Sequence, residues 1–329
     1  MNRSSALAPI AMRFSDSDPR FPKGWYCVAE SADLSIDTLA PVSWLDQQLV
    51  VYRTAAGAPQ VADAYCPHLG AHLASHDGAI KDGVLICPFH KWHWDGDTGK
   101  CTHIPYASQL PPGGVRLSLH PTREVDGMVL MWYHPEGSAV ESEPYSTSAD
   151  GMDLRDWVLY DARSWTSTCP FRDILENVFD SAHIVQLHHA TKMPVMNAME
   201  ARPHGLFVDY QLDPEAEDIP IRRLALNFTG VSGLTQLYEG EGWSALFLIT
   251  LTPVDHEHFV QKARLYLKDM GSSELHERFG KPFVERFVYE VEQDFKVLNY
   301  KRHLPTPRLC RGDGPIYQFR EYASQYYCA

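Results

Sequence analysis

The chain has 329 residues, a formal net charge of -13 and a hydrophobic content of 44%, values typical of a globular protein. The negative net charge argues against nucleic-acid binding, which requires a basic face. The longest apolar stretch, residues 243–254, is too short to span a bilayer. The N-terminus lacks the apolar core of a signal peptide, and the seven cysteines are an odd number. We therefore expect a cytoplasmic protein whose thiols are metal ligands or buried side chains.

The predicted elements divide the chain into an arm and two domains. Residues 1–23 are polar and contain several prolines, which predicts an arm with little regular structure. Short alternating strands punctuated by Gly, Asp and Pro predict a small all-β domain over residues 24–137. Residues 138–329 begin with a segment rich in Ser, Glu and Pro. They continue with strands between a helix over about 172–187 and a long helix over about 273–302. The predicted fold class is α+β, with an antiparallel sheet in the second domain.

Paired cysteine and histidine residues mark two turns of the first domain. Cys66 and His68 are followed, after eighteen residues, by Cys87 and His90. Two turns that each present one thiolate and one imidazole can hold a Rieske-type [2Fe-2S] cluster, with the cysteines on one iron and the histidines on the other. A Cys2His2 zinc site uses the same ligand types and is the alternative. The interleaved order of the ligands favours the cluster.

A second group of potential ligands lies in the first predicted helix of the second domain. Asp180 and His183 are three residues apart and would share one face of a helix. His188 is five residues beyond His183, so both histidines can bind one metal ion only if the helix ends or contains a π-bulge between them. Two imidazoles and a carboxylate are the ligands of a non-haem Fe(II) centre with open coordination positions.

The long C-terminal helix supplies a candidate carboxylate. Asp294 falls in the middle of an apolar stripe at helical spacing. A carboxylate on a buried face must be paired, protonated or bound to a metal, and a salt bridge is the alternative to metal binding. We assign His183, His188 and Asp294 as ligands of a mononuclear iron. Asp180 is assigned to the orientation of a ligating histidine, and it is the alternative carboxylate ligand. The stripe consists of Phe283, Val284, Phe287, Val291, Phe295 and Leu298.

The substrate pocket is predicted to lie between the iron-binding helix and the sheet. Large apolar side chains in these segments are its candidate lining, and together they indicate an apolar substrate held mainly by shape. The candidates are Phe179, Met193, Met196, Phe207, Trp243, Phe247 and Leu298.

Taken together, these residues resemble the catalytic α-subunits of Rieske non-haem iron oxygenases, over nearly the whole chain from Gly24. Three stretches, residues 95–106, 176–188 and 313–318, are most similar to oxygenase components of bacterial 3-ketosteroid 9α-hydroxylases and to related sterol desaturases. The matching residues are Cys66, His68, Cys87, His90, Asn177, Asp180, His183, His188 and Asp294.

The resemblance implies a Rieske [2Fe-2S] domain, a helix-grip catalytic domain with mononuclear Fe(II), and O2 as cosubstrate. It also implies catalytic roles for Asn177 and Asp180, and a head-to-tail homotrimer in which Asp180 bridges His90 of one chain to His183 of the next. Electrons are expected from NAD(P)H through a separate ferredoxin or flavin reductase.

The expected reaction is hydroxylation of an apolar polycyclic, steroid-like substrate. Desaturation or oxidative demethylation by the same centre is an alternative, and so is a pure Rieske electron carrier. One departure from the ketosteroid pattern concerns the pocket: Leu298 stands where those enzymes have a Trp four residues after the aspartate ligand. The spacer between the two Cys-His pairs is also slightly longer than usual.

Overall fold

The structure is a computed structural model that describes residues 21–215, 221–268, 274, 276–310 and 312–328. Most of the predicted N-terminal arm lies outside the described residues. The described residues divide into two compact units, one over Lys23–Ser146 and one that contains the described residues from Thr147 onward. No helix in these described ranges is long and apolar enough to cross a membrane.

The first unit is built from antiparallel strands that form three small sheets, in the orders β1-β11-β10, β2-β3-β4-β9 and β5-β6-β7-β8. Its core contains both cysteines predicted to bind the cluster, together with Tyr52, Leu73 and Trp94, all fully or almost fully buried. The strands are β1 (Gly24–Glu30), β2 (Leu39–Trp44), β3 (Gln47–Arg53), β4 (Pro59–Asp63), β5 (Ala79–Lys81), β6 (Val84–Ile86), β7 (His93–Asp95), β8 (Cys101–His103), β9 (Leu119–His120), β10 (Thr122–Val125) and β11 (Met128–Tyr133), and Ser31–Asp33 form a 3₁₀ turn.

This unit extends to residue 146, whereas the sequence predicted an end at residue 137. The intervening segment lies on the first sheet, because Trp25 Nε1 donates to the carbonyl of Ser142 at 2.6 Å. Trp132 Nε1 likewise donates to the carbonyl of Ser138 at 3.2 Å. The Ser- and Pro-rich composition suggested a linker, but these bonds attach it to the first unit.

The second unit contains one seven-stranded antiparallel sheet in the order β12-β18-β17-β16-β15-β14-β13. Its strands are β12 (Trp157–Ser167), β13 (Val195–Arg202), β14 (Gly205–Gln211), β15 (Ile221–Thr229), β16 (Gly233–Gly240), β17 (Ser244–Pro253) and β18 (Phe259–Lys268). The α-helices are α1 (Phe171–Ile174), α2 (Ser181–Gln186), α3 (Lys281–Leu298) and α4 (Ile316–Ser324). Thr147–Asp150, Leu154–Asp156 and Glu176–Phe179 are 3₁₀ turns, and a π-helical turn over His276–Gly280 precedes α3. The α+β class with antiparallel sheets is confirmed.

Helix α3 packs its apolar stripe on the sheet, as the spacing predicted. Phe283 contacts Phe247 with ring centroids 5.5 Å apart, and at the other end Phe295 contacts Trp165 at 6.4 Å. The helix ends where Asn299 Oδ1 accepts hydrogen bonds from Ser167 Oγ and the N–H of Thr168. Both ends of α3 are thereby fixed, and Asp294 is held over the sheet.

Candidate metal centres and substrate cavity

Two loops with the same backbone geometry present the cysteines of the first constellation, one between β4 and β5 and the other between β6 and β7. In each loop the cysteine N–H donates to the carbonyl five residues later, at 2.8 Å for Cys66 and 3.0 Å for Cys87. Each cysteine carbonyl accepts from the N–H four residues later, at 2.9 and 3.1 Å. That fourth residue is Gly70 or Lys91, and both have left-handed backbones with φ of 72° and 56°. The two Cys-His pairs of the sequence therefore lie in loops with the same backbone conformation.

The four donors of these loops fit a binuclear cluster better than a single zinc ion. Cys66 and Cys87 are buried, and the His68 and His90 rings lie with centroids 4.8 Å apart. Zinc bonds of about 2.0–2.3 Å would bring all four donor atoms within about 4.6 Å of one another. Among the described residues no three of these four form such a group. His90 Nδ1 is buried without a hydrogen-bonding partner in the described residues, which suits a nitrogen that binds iron.

Burial raises the pKa of the Cys66 thiol to about 11, and the neighbouring Cys87 acts in the same direction. A thiol with this pKa stays protonated at neutral pH unless a metal displaces the proton. Loading of the cluster is therefore expected to release protons and to stabilise the unit.

The predicted helix over residues 172–187 is broken at Asp180. The backbone of Asp180 has φ -83° and ψ 85°, and its Oδ1 accepts from the N–H groups of Ala182 at 3.1 Å and His183 at 3.4 Å. Aspartate is among the preferred N-cap residues because its carboxylate satisfies N–H groups of the first turn. The carboxylate of Asp180 therefore starts α2. The expectation that it orients a ligating imidazole of its own chain is not met.

The backbone carbonyl of Asp180 performs that orienting role instead. It accepts a hydrogen bond from His183 Nδ1. Because a carbonyl can only accept, Nδ1 holds the proton, and in the neutral imidazole Nε2 then presents its lone pair. His183 is thus fixed in the tautomer that binds a metal through Nε2.

His188 joins the site because α2 ends between the two histidines. The N–H of His188 donates to the carbonyl of His183 at 3.4 Å, which closes a turn one residue wider than that of an α-helix. The next residue, His189, has a left-handed backbone with φ 59°. The rings of His183 and His188 come to lie with centroids 5.1 Å apart. The predicted irregularity between them is confirmed.

Asp294 faces both imidazoles from α3. Its Oδ1 lies 3.0 Å from His188 Nε2 and 3.9 Å from His183 Nε2. The possible ligand atoms of His183, His188 and Asp294 all lie within 4.8 Å of one another. Asp294 Oδ1 and His188 Nδ1 are buried without hydrogen-bonding partners in the described part of the chain, and no Lys or Arg there pairs with Asp294. The arrangement fits a metal ion bound by the three residues better than the alternative of a salt bridge.

The electrostatics of this group agree with its geometry. Burial lowers the pKa of His188, but the Asp294 carboxylate, whose Oδ1 lies 3.0 Å from His188 Nε2, more than offsets this, and the pKa lies above its ordinary value. Asn177 lies on the opposite side of the carboxylate, where its Nδ2 donates to Asp294 Oδ2 at 3.0 Å. The same atom lies 3.3 Å from His183 Nε2.

A buried charge cluster that the sequence analysis missed supports the segment before Asn177. Asp173 and Glu176 are almost fully buried at the end of α1. Lys301 Nζ lies 3.1 Å from Asp173 Oδ2, and Arg320 of α4 pairs with Glu176. Two acidic residues three apart in an apolar run were the signal, and their basic partners are more than 120 residues away in sequence.

Helix α4 also contacts the turn that precedes Asp180. The rings of Phe179 and Phe319 stack with centroids 4.5 Å apart, and Phe179 also stacks on Phe228 at 5.5 Å. Just before α4, Gly314 has φ 77°, and a Cβ added there would lie 2.2 Å from the carbonyl oxygen of Phe179. The C-terminal segment therefore packs tightly against the residues that begin the histidine helix.

A cavity of about 230 Å³ lies between α3, α2 and the sheet, and its wall includes His183, His188 and Asp294. The remaining wall is mainly apolar. The polar exceptions include Gln236, Tyr238 and Gln261 on the sheet and the charged residues Lys192, Asp213, Arg286 and Glu290. Further wall residues are Ile174, Val178, Ile184, Leu212, Ile221, Leu224, Leu234, Ile249, Leu251, Phe283, Phe287, Val291 and Phe295.

Of the seven predicted lining residues only Met193 lies in this wall. Phe179 is buried on the α4 side, and Trp243 and Phe247 are packed beneath Phe283. Phe207 is covered by the guanidinium of Arg202. Leu298 is buried but does not line the cavity, and Met196 does not line it either. The presence of Leu298 in place of the Trp of the ketosteroid pattern therefore does not change the cavity wall. Hydrophobicity alone does not identify the residues that face the cavity, because that depends on strand register.

Comparison with protein families matches both parts of the chain. The family described as Rieske [2Fe-2S] domain matches residues 24–115, and the 3-Ketosteroid 9alpha-hydroxylase C-terminal domain matches residues 131–327. The second match covers more than half of the chain. The chain belongs to the Rieske non-haem iron oxygenases of this type. It is an oxidoreductase with a Rieske [2Fe-2S] domain and, as an oxygenase component, receives electrons from a separate protein.

The relatives agree with this assignment. The oxygenase component of a 3-ketosteroid-9-alpha-monooxygenase from Rhodococcus rhodochrous is 29% identical, with 94% of this chain and 83% of that protein covered. The cholesterol 7-desaturase of Caenorhabditis elegans is 27% identical over 97% of this chain and 79% of that protein. Among solved structures, Pseudomonas putida NdmA with caffeine has a TM-score of 0.73 at 17% identity, covering 91% and 89% of the two chains. Dicamba monooxygenase bound to dicamba gives 0.67 at 17% identity, covering 94% and 98%. These two structures show the shared fold.

Proposed function

We propose that this chain is a terminal oxygenase that hydroxylates an apolar, polycyclic, steroid-like substrate with O2. The observation that carries the proposal is the mainly apolar cavity whose wall includes His183, His188 and Asp294. Such a cavity holds a hydrophobic molecule by shape beside the residues that bind the metal. The steroid class is supported by the relatives, whose names refer to a ketosteroid and to cholesterol.

The proposal includes a mononuclear Fe(II) held by His183, His188 and Asp294. An iron bound there supplies oxygen activation, and the [2Fe-2S] cluster supplies single electrons. The protein's part is positional. Asn177 holds Asp294 Oδ2 so that Oδ1 faces the imidazoles, and the carbonyl of Asp180 fixes the tautomer of His183. The apolar wall orients the substrate and keeps water away from the reacting carbon.

Two polar side chains of the wall give the proposed substrate a further property. The Gln261 side chain lines the cavity, and Gln236, which also lines it, accepts through Oε1 from Tyr238 OH at 3.0 Å. A carbonyl or hydroxyl group of a substrate within reach of Gln261 can form a hydrogen bond with its amide, which is worth about 0.5–1.5 kcal/mol. We therefore favour an oxygenated steroid over a pure hydrocarbon.

The proposed assembly is a homotrimer in which Asp180 lies between His90 of one chain and His183 of the next. Its support is that the Asp180 carboxylate uses only Oδ1 for the helix cap, which leaves Oδ2 without a hydrogen bond among the described residues. Electrons are proposed to come from NAD(P)H through a ferredoxin or flavin reductase. Seven cysteines, two of them assigned to the cluster, favour the cytoplasm as the location.

A turnover screen of steroids and other polycyclic compounds with a surrogate reductase tests the function. Hydroxylation adds one oxygen atom to the product, whereas desaturation removes two hydrogen atoms. Mass spectrometry separates these outcomes. Desaturation is the second candidate because of the similarity to cholesterol 7-desaturase. Iron analysis tests the metal centres, since cluster iron without a further iron per chain would contradict the mononuclear site.

A further inference from the structure

Trp94 is a buried donor without an acceptor in the first unit. Its side chain is 0% exposed, and its indole N–H has no hydrogen-bonding partner among the described residues. The other four tryptophans of the unit each donate to a described oxygen atom: Trp25 to Ser142, Trp44 to Val28, Trp92 to Tyr106 and Trp132 to Ser138. Leaving such a donor unpaired costs about 1–3 kcal/mol, so the exception calls for an explanation.

The polar group beside this indole is the thiol of Cys66. Trp94 lies on β7, paired with Leu85 and Cys101 of the neighbouring strands, in the same core as the cluster cysteines. Burial is the main influence on the Cys66 thiol and raises its pKa, while the nearby Trp94 side chain opposes that rise. The backbone N–H of Cys66 is already bonded to the carbonyl of Ala71 and cannot take this role.

We propose that the indole N–H of Trp94 donates a hydrogen bond to the sulfur of Cys66 when that sulfur is a cluster ligand, and thereby raises the reduction potential of the cluster. A donor at a ligating sulfur withdraws electron density from the iron, which favours the reduced form. Trp94 then sets how strongly the cluster holds the single electron that it passes on. It is a positioning residue that acts through Cys66, and it touches neither substrate nor oxygen.

The test is a redox titration of the full-length protein with its cluster loaded, followed by circular dichroism or by EPR of the reduced state. In Trp94→Phe we expect the ratio of reduced to oxidised cluster at a fixed potential to fall about tenfold, a shift of about 59 mV for one electron. Trp132→Phe is the matched control, because it removes a buried indole of the same unit that donates to a backbone carbonyl. Its midpoint should stay at the wild-type value.

Two outcomes overturn the proposal. One is an unchanged midpoint in Trp94→Phe with cluster absorbance and iron content intact, as expected if the indole N–H is satisfied by a buried water. The other is an equal shift in both variants, which would indicate general loosening of the unit. Should Trp94→Phe fail to retain its cluster, wild-type protein labelled with ¹⁵N at the tryptophan indole decides. Pulsed EPR of the reduced cluster should show a weak indole nitrogen coupling, and its absence refutes the hydrogen bond.

Discussion

The side-chain amide of Asn177 donates a hydrogen bond of 3.0 Å to Oδ2 of Asp294, which joins two residues 117 positions apart at the candidate iron site. This bond leaves Oδ1 as the oxygen that faces His183 and His188. A residue that orients a ligand in this way changes metal affinity without binding the metal itself.

Asn177→Ala is therefore expected to weaken Fe(II) binding at the mononuclear site by about 10–100-fold, while the cluster stays loaded. Fe(II) titration of protein stripped of its mononuclear iron measures the affinity, and visible absorption monitors the cluster. Asn197→Ala, which removes an exposed amide bonded to Asp209, is the control and should leave the affinity unchanged. Equal affinities in wild type and Asn177→Ala would refute the orienting role.

Gly314→Ala tests the contact between the C-terminal segment and the turn before Asp180. The new Cβ would meet the carbonyl oxygen of Phe179 at 2.2 Å from a left-handed backbone. We expect a loss of about 1–3 kcal/mol in the free energy of unfolding and weaker mononuclear iron binding, because the turn must move. Gly312→Ala has no atom within 4 Å of its added Cβ and is the matched control. Denaturant titration that ranks the two variants as equally stable would contradict the account.

The residues of both candidate metal centres could be predicted from the sequence because each set depends on short spacings or on helical periodicity, which do not depend on how the rest of the chain folds. The Cys-His pairs repeat a loop, and the stripe of α3 places Asp294 by helical periodicity alone. The sequence predicted strands over residues 206–212, 224–228, 234–239, 246–251 and 259–267 but none at β12 or β13. These two are the edges of the seven-stranded sheet and alternate poorly between buried and exposed positions. Edge strands lack the clean period that identifies a strand buried on one face.

Long-range pairing explains the other failures. Asp180 was placed within a continuous helix, since an N-cap inside an apolar run is visible only from its local hydrogen bonds. Glu176 and Arg320 are 144 residues apart, so their ion pair leaves no periodic signal. The cavity wall depends on which residues of neighbouring strands lie in register. Periodicity finds the face of a helix or strand but not the partner that the face meets.

The pair of Asp173 with Lys301 and His303 predicts a dependence of stability on pH. Burial raises the pKa of Asp173, but the hydrogen bond to His303 and the charge of Lys301 outweigh it, and the pKa lies below its ordinary value. A carboxyl group with a lowered folded-state pKa stabilises the fold above its unfolded pKa, and the contribution is lost as pH falls through the folded pKa. We expect the wild-type free energy of unfolding to decline below about pH 4.

Asp173→Asn should lower the free energy of unfolding at pH 7 by about 1.5–3 kcal/mol, because it removes the buried carboxylate that pairs with Lys301 and His303. The acid dependence of the variant should be shallower than that of wild type. Asp153→Asn removes a solvent-accessible carboxylate that pairs with Arg155 and is the control, whose free energy of unfolding should stay close to that of wild type. If the free energies of unfolding of wild type and Asp173→Asn change in parallel with pH, Asp173 is not the group that makes stability depend on pH.

Gln261→Leu tests the polar contact proposed for the substrate. Once a substrate is identified, we expect KM for an oxygenated steroid to rise by about tenfold, since one hydrogen bond is worth about 1.4 kcal/mol in this range. A deoxygenated analogue should lose no affinity, because it never paired with the amide. Gln325→Leu on the exposed C-terminal surface is the control. A uniform change for both substrates would point to altered packing instead.

Two substitutions of Asp180 can separate its role as a helix cap from the effect of its charge. Its carboxylate caps α2, and an asparagine at this position can still accept from the N–H groups of Ala182 and His183. Asp180→Asn should therefore keep wild-type stability and mononuclear iron, whereas Asp180→Ala should lose about 1 kcal/mol of unfolding free energy. Denaturant titration and iron analysis measure both effects.

If the carboxylate also couples the two centres across a subunit contact, both variants should lose coupled turnover, and Asp180→Asn should do so while structurally intact. Product formed per electron consumed, measured with the surrogate reductase, is the decisive quantity. Full coupled turnover in Asp180→Asn would show that the negative charge of Asp180 is not needed for electron transfer, and Asp180 would then act only as a helix cap. Loss of turnover in Asp180→Ala only would assign the whole effect to the start of α2. The asparagine variant therefore decides between a bridge and a cap, because the two roles require different properties of the same side chain.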